Sequence, residues 1–280
     1  MGNQITSPNT LVAYVDILGF SSILEKEDPD VYYNAINKAL AEWNKHFSKD
    51  ITNKYELSRK FASSIFLEVF SDTFVIAVNE QRLIEDAELK VTPPVVFHVF
   101  AYLISYLIKD LFLETGHLLR GAIGRGQFYL NEFEALKGNN FIFSKALSDA
   151  YEAAEKIADT PRILIHENIF SEFKPEELCS SQPISTLIRD EDGILYLNVY
   201  GPMVLRLNLE IATFVKAKGI IEDAISKYKD DVIKRRKWIW FANYHNRIIC
   251  RIIKHSNNIQ LYPEYKEFKE KENLVTVRIP

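Results

Sequence analysis

Leu11-Val-Ala-Tyr-Val-Asp-Ile17 is followed at once by Leu18-Gly19-Phe20. A short apolar run that ends in an acid, then a glycine turn, reads as a buried strand with a carboxylate at its exit. A second acid lies in a similar setting. Residues 65–70 and 74–78 are strand-like runs joined through Ser71-Asp72-Thr73, a hairpin with Asp72 at its tip. Between these, residues 31–47 carry apolar side chains at helical spacing. Pro93-Pro94 then opens a helix over residues 95–113, with proline in the tolerated first turn and Gly116 as the stop. Residues 118–123 read as a strand. Residues 127–130 read as its hairpin partner across Gly124-Arg125-Gly126.

The order up to Leu130 is strand, helix, strand, strand, helix, strand. That is a split βαβ or ferredoxin-like module. Right-handed crossovers put its first and third strands side by side in the centre. Asp16 then ends the first strand, Asp72 precedes the third, and Arg120 lies near the start of the fourth, beside the first. Two acids and an arginine from three segments meet at one sheet edge. Beyond this, residues 143–158 read as a helix, 161–165 and 194–199 as strands, and 172–192 as a polar loop. Residues 207–255 have a helical pattern with a break near Gly219, and 263–280 a charged, partly ordered tail. The expected fold is α+β, a ferredoxin-like core over residues 1–205 with a helical C-terminal extension over 206–280.

Composition narrows the partners. The chain has 280 residues, 47% apolar and 26% charged, with a net charge of −4, so it can bury a large core. Proteins that live on nucleic acid polymers are usually basic, which argues against such a partner. The two cysteines, Cys179 and Cys250, show no CxxC spacing. A disulfide framework or zinc site is not expected, and a cytoplasmic, reducing setting fits. No secretory signal is read ahead of the first strand. The apolar stretch 95–108 is too short to span a bilayer and reads as a buried helix, so no membrane partner is expected.

Two carboxylates on neighbouring strand ends repel each other unless a proton or cation intervenes. Hard divalent ions suit them, and magnesium fills the rest of its shell with water and phosphate. Asp16, the Ile17 carbonyl and Asp72 are therefore candidate ligands for two Mg²⁺ or Mn²⁺ ions. The turn amides of Leu18, Gly19, Phe20 and Ser21 are candidates for holding phosphate. Simpler readings stay open: Asp16 as a helix cap, Asp72 as a turn former, Arg120 in a salt bridge. Lys234-Arg-Arg-Lys237 reads as a solvated helix face, or as a patch for phosphate or an acidic partner. Trp238, Trp240, Phe241 and Tyr244 read as core packing.

Tyr14-Val-Asp-Ile-Leu-Gly-Phe20 and Phe70-Ser-Asp-Thr-Phe74 resemble the two metal-aspartate motifs of class III nucleotidyl cyclases. Leu119-Arg-Gly-Ala-Ile123 with Gly126 resembles the strand and glycine turn that follow. Ala150-Tyr151…Glu155 and Trp240-Phe-Ala-Asn-Tyr-His-Asn246 add a likeness to the bacterial pyrimidine cyclases of the Pycsar anti-phage systems. The resemblance covers roughly residues 10–165 plus the late motif. It implies cyclisation of a nucleoside triphosphate, CTP or UTP, to a 3′,5′-cyclic nucleotide in anti-phage signalling, by a two-metal homodimer. Asp16 and Asp72 would hold metal, and Arg120 would stabilise developing charge. Glu68 and Lys145 fall at the base-reading positions, although they could equally pair with each other. The family's helical Asn and Arg fall on Ser148 and Glu152, so its transition-state arginine is missing. Arg120 or Arg125 would have to substitute, or the protein is a decayed, nucleotide-sensing relative. Polymerase palm domains and diguanylate cyclases share the same metal-edge layout.

Overall fold

β1 spans Ile5–Ile17 and is hydrogen-bonded on both sides, to β3 (Thr73–Asn79) and to β4 (Leu119–Glu132), antiparallel in each case. The computed structural model describes residues 5–25, 28–48, 60–61, 63–86, 89–132, 140–156, 160–171, 174, 185–201, 211–255 and 265–279. Among these, β2 (Ile65–Phe70), β5 (Asn140–Ser144), β6 (Ile163–Ile165), β7 (Leu187–Arg189) and β8 (Leu195–Leu197) complete one mixed sheet. Its order is β2-β3-β1-β4-β6-β8-β7, with β5 paired to the far half of β4. The helices, in chain order, are α1 (Phe20–Leu24), α2 (Pro29–Ser48), α3 (Glu80–Ile84), α4 (Pro93–Thr115) and α5 (Lys145–Lys156). They continue with α6 (Ile211–Lys227), α7 (Val232–His255), α8 (Tyr265–Glu270) and α9 (Glu272–Val275). The βαββαβ order is thus present, with the first and third strands adjacent at its centre.

The period-2 alternation of β1 sorts the two sheet faces. Leu11, Ala13, Val15 and Ile17 join one core with Phe97, Phe100, Ile104 and Leu107 of α4. Val12 packs on the other face with Val75, Ala77, Phe128, Leu130 and Ala146. Tyr14 and Asp16 share that second face. α2 lies on α4, where the Trp43 indole N–H donates to the Leu103 carbonyl at 2.9 Å. Gly116, at φ 69°, caps α4 as expected. α4 is longer than the apolar run that marks it and could cross a bilayer by length and composition, yet 72% of its most apolar window is buried in the fold.

The expected hairpin at Gly124-Arg125-Gly126 does not form, because β4 runs straight through it. The glycines answer a different need, the close approach of neighbours. A Cβ at Gly121 would lie 2.0 Å from the Tyr14 carbonyl oxygen of β1. One at Gly124 would lie 2.7 Å from the Ala146 carbonyl oxygen of α5. Gly121→Ala must therefore push β1 and β4 apart. Its expected cost is on the order of 1–3 kcal/mol, the scale of overpacking, measured by denaturant unfolding. An unchanged midpoint would mean that this contact relaxes freely.

The polar stretch 172–192 holds β7 near its end. Cys179, and the expected helix start near 207, lie outside the described residues. The break in the late helical region falls at 228–231 rather than at Gly219, which stays inside α6. Asp231 causes it by capping α7, its carboxylate accepting from the Lys234 amide at 3.0 Å. The tail is better ordered than its charge suggests, with Phe268, Val275 and Val277 buried in the main core. Trp238, Phe241 and Tyr244 are buried there too.

The late Tyr244-His245-Asn246 run latches this extension to the sheet. Tyr244 donates to the Asn198 side-chain oxygen at 2.8 Å. The His245 Nε2–H donates to the Val275 carbonyl at 2.9 Å, and Nδ1 accepts from the Tyr200 hydroxyl at 3.0 Å. The Asn246 amide bonds Val277 both ways, at 3.0 and 2.8 Å. Burial pushes His245 down to about 4 from its usual 6.5. Because the unfolded chain binds this proton more tightly, stability is full above about pH 6.5 and falls as the pH drops towards 4. The loss is on the order of 3 kcal/mol. His245→Gln should lose less melting temperature than wild type between pH 7 and pH 4.5; equal losses would remove His245 as the titrating group.

Candidate active site

Register places the cluster. Asp16 lies opposite Thr73 on one side and opposite Arg120 on the other. β2 and β3 are joined by Ser71 and Asp72 alone, and Ser71 takes φ 58°, the positive angle that such a tight turn demands at its first position. The Ile17 N–H donates to the Asp72 carbonyl at 3.1 Å, tying the hairpin tip to the exit of β1.

The carboxyl of Asp16 is pushed above the ordinary aspartate range. Burial is the largest cause, and the Arg120 hydrogen bond opposes it. Asp72 adds to the rise by repulsion and by a hydrogen bond between the two carboxyl groups. Arg120 Nε donates to Asp16 Oδ2 at 3.1 Å, and the far end of its guanidinium bonds Glu155 of α5. Thr73 lies 3.5 Å from the other Asp16 oxygen. Topology thus brings Asp16, Asp72 and Arg120 together as expected. Among the described residues no three His, Cys, Asp or Glu side chains gather in a way that could hold a metal. Asp16 and Asp72 are therefore a two-carboxylate site, and water or phosphate must complete the shell of any ion there.

Several expectations change. The Leu18 amide cannot hold phosphate, because it donates to the Leu118 carbonyl at 2.9 Å. Gly19, at φ 82°, turns the chain into α1, whose first residues are Phe20 and Ser21. Arg125 is no substitute arginine. It pairs in register with Leu11, five residues from the Asp16–Arg120 pair or ~17 Å along the strand. Its guanidinium is spent on buried Glu80 at 2.5 Å. Glu68 and Lys145 do not pair, since Lys145 bonds Asp149 one turn along its own helix. Ser148 lines the groove described next, and Glu152 bonds Lys156 at 2.9 Å.

Sequence reasoning passed over Glu155 as a site residue and Tyr14 as its wall. Tyr151 and Glu155 are one helical turn apart, which puts both on the α5 face towards the sheet. Tyr14 meets Tyr151 edge-on with ring centroids 5.4 Å apart. The two rings line an open groove of about 790 Å³ with Phe70, Val75, Phe143 and Lys145. α5 packs over part of this sheet face, against β4 and β1, and the groove lies beside it. Phe70 is 52% and Phe143 63% exposed.

No protein-family model and no curated protein matches the sequence. Solved structures do align. The catalytic core of a rhodopsin-guanylyl cyclase with converted specificity, in complex with ATPαS, matches at 14% identity and a TM-score of 0.47, over 71% of this chain and 99% of that one. The guanylate cyclase domain of RhGC from Catenaria anguillulae, in complex with GTP, matches at 14% and 0.44, over 69% and 98%. A dimeric guanylyl cyclase domain of the RhoGC fusion protein from Blastocladiella emersonii matches at 12% and 0.43, over 70% and 96%. Likeness this loose carries no residue-by-residue correspondence, and the site rests on its own geometry.

Asp72→Asn separates a metal site from a mere turn. Without metal, the variant removes one of two crowded carboxylates and should melt at the same temperature or slightly higher at pH 7. Asp16's raised value means that this tension is relieved as the pH falls, so the gap should close in acid. With manganese and a nucleoside triphosphate at ~100-fold excess over the dissociation constant, wild type should gain on the order of 2–3 kcal/mol. The variant should gain much less. Equal ligand-induced shifts in the two proteins would end the case for metal at Asp72, since asparagine is as good a turn residue.

Proposed function

We propose that this chain is a nucleotidyl cyclase, converting a nucleoside triphosphate to a 3′,5′-cyclic nucleotide and pyrophosphate. The approach of Asp16 to Asp72 carries the reading: two carboxylates from separate segments, one of them already raised in pKa, whose repulsion a divalent cation would relieve. The donor set is all oxygen and leaves room for phosphate, which fits magnesium or manganese. Asp16, the Ile17 carbonyl and Asp72 would hold two ions, supplying hydroxyl activation and charge neutralisation at the leaving pyrophosphate. Arg120, bonded to both Asp16 and Glu155, holds the Asp16 carboxylate in place. Gly19, Phe20 and Ser21 contribute turn amides to the phosphates. O3′ gives up its proton to solvent and bonds to the α-phosphorus as the bond from that phosphorus to the bridging oxygen of the β-phosphate breaks, and pyrophosphate leaves.

The pyrimidine preference, CTP or UTP, rests on the resemblance in the motifs, and so does a role in anti-phage signalling. The base would enter the groove between Tyr14 and Phe143, beside Lys145 and Ser148, with Glu68 on the neighbouring strand. The exposed Phe70 and Phe143 support a homodimer that closes over this groove. A second reading, a nucleotide-sensing scaffold without turnover, draws on the double engagement of Arg120 and on Glu152 at the family's arginine position. Incubation with each of the four ribonucleoside triphosphates and manganese, followed by mass spectrometry, decides between them. Cyclic CMP or cyclic UMP is expected as the main product, with Asp72→Asn at least ~10²-fold slower and a dimer in sedimentation. Cyclic AMP as the main product would sink the pyrimidine preference alone. No cyclic product from any of the four would sink the cyclase reading.

A further inference from the structure

The polar contacts of the acid pair continue onto a helix. Arg120 Nε donates to Asp16 Oδ2 at 3.1 Å, and the other end of the same guanidinium bonds the Glu155 carboxylate. One cation is thus shared between an acid at the sheet edge and an acid in the last turn of α5. Exposure rises along this row: the Asp16 side chain is 13% exposed, that of Arg120 22% and that of Glu155 39%. Lys156, next to Glu155, is engaged elsewhere, with Glu152 at 2.9 Å. Among the described residues, Arg120 is the cation whose ion pair with Glu155 is recorded. The edge-on packing of Tyr151 against Tyr14 seats α5 on the sheet one turn before Glu155.

A divalent ion that takes the Asp16 carboxylate must contend with the arginine already on Oδ2, because two cations on one carboxylate repel each other. The other oxygen is not clear either. Thr73 lies 3.5 Å from Oδ1, and Asp16 also hydrogen-bonds to Asp72. Asp16 is fixed by its register between β3 and β4, whereas Arg120 carries its charge at the end of a long side chain. The arginine is therefore the group that can yield. A partly buried guanidinium stripped of every carboxylate would be costly. Glu155 removes that cost, since Arg120 keeps one charged partner when it leaves the other. The Glu155 carboxylate stands partly in water, so following the guanidinium demands little desolvation.

We propose that Arg120 is the counter-ion that a divalent metal displaces from Asp16, and that Glu155 is the positioning residue that receives it. The inference rests on the metal reading of Asp16 and Asp72. Glu155 touches neither metal nor nucleotide in this scheme. It acts through Arg120, by setting how readily Asp16 is released. Metal affinity is thereby tuned from α5, and a shift of the end of that helix alters it.

The test is manganese binding to the full chain without nucleotide, read from the paramagnetic resonance of free manganese, on a double-mutant cycle. Arg120→Gln removes the competing cation and should bind manganese at least ~5-fold more tightly than wild type, the scale of one charge–charge contact near a protein surface. Glu155→Gln leaves Arg120 with Asp16 as its acidic partner and should bind at least ~3-fold more weakly. Glu155→Gln added to Arg120→Gln should change nothing further, because the residue acts through the arginine. A second measurement needs no variant: saturating magnesium should move the Arg120 Nε–H resonance of wild type and speed its exchange with water. A loss of affinity from Glu155→Gln that is equal in both backgrounds would mean that Glu155 attracts the ion through space, and would overturn the proposal. So would an Nε–H resonance that magnesium leaves in place. Equal manganese affinity in wild type and all three variants would keep the metal reading and remove the displacement. No manganese bound by any of them would remove both.

Discussion

Everything at the candidate site hangs on how closely β1 and β4 approach. A single hydrogen in place of a side chain at Gly121 lets the Tyr14 carbonyl come in where a Cβ would stand 2.0 Å away. That contact fixes the pairing of Asp16 with Arg120 on one side, and the pairing with β3 fixes Thr73 on the other. Strand side chains alternate, so a slip of one residue would send Asp16 into the apolar core beneath α4 and bring Ile17 to the groove. The paired acids are thus held by backbone geometry. Arg120 and Thr73 add side-chain contacts to Asp16, at 3.1 and 3.5 Å, beside its bond to Asp72.

On this frame the charges are arranged in tension. Asp16 sits under burial and beside Asp72, and Arg120 answers part of that cost while itself being shared with Glu155. A cation arriving between the acids would relieve the tension and loosen the claim of Asp16 on Arg120. The cluster is poised in that sense: its unliganded form stores repulsion that a ligand removes.

The sequence made the βαββαβ order readable because each element is marked by its own punctuation. Pro93-Pro94 and Gly116 bracket α4, alternation marks β1, and Ser71-Asp72-Thr73 marks the β2–β3 turn, one residue wider than the turn that forms. Topology then delivered Asp16, Asp72 and Arg120 to one edge with no knowledge of distances. The failures share a cause. Glycine near Arg125 was read as local turn chemistry, whereas its need is long-range, a helix pressed against β4. The Leu18 amide was offered to phosphate because its competing acceptor, Leu118, lies 100 residues away in sequence. Local pattern reads elements; tertiary neighbours decide which of their groups are already spent.

The latch at Tyr244-His245-Asn246 has a consequence for biosynthesis. Its partners, Val275 and Val277, follow it by 30 and 31 residues, so they leave the ribosome after it does. Until they emerge, His245 and Asn246 face burial without their bonds, a penalty of roughly 1–3 kcal/mol for each polar group left unmade. α7 therefore cannot seat firmly before residue 277 is out. The sheet, by contrast, can pair β1 with β3 and β4 once residue 132 is out, so the acids assemble early and the extension seals late. Arrested nascent chains of stepped length should become protease-resistant over residues 5–132 before they do over 211–255. A chain that folds in this order completes the Asp16–Asp72 edge of the sheet while α7 is still waiting for its last partners.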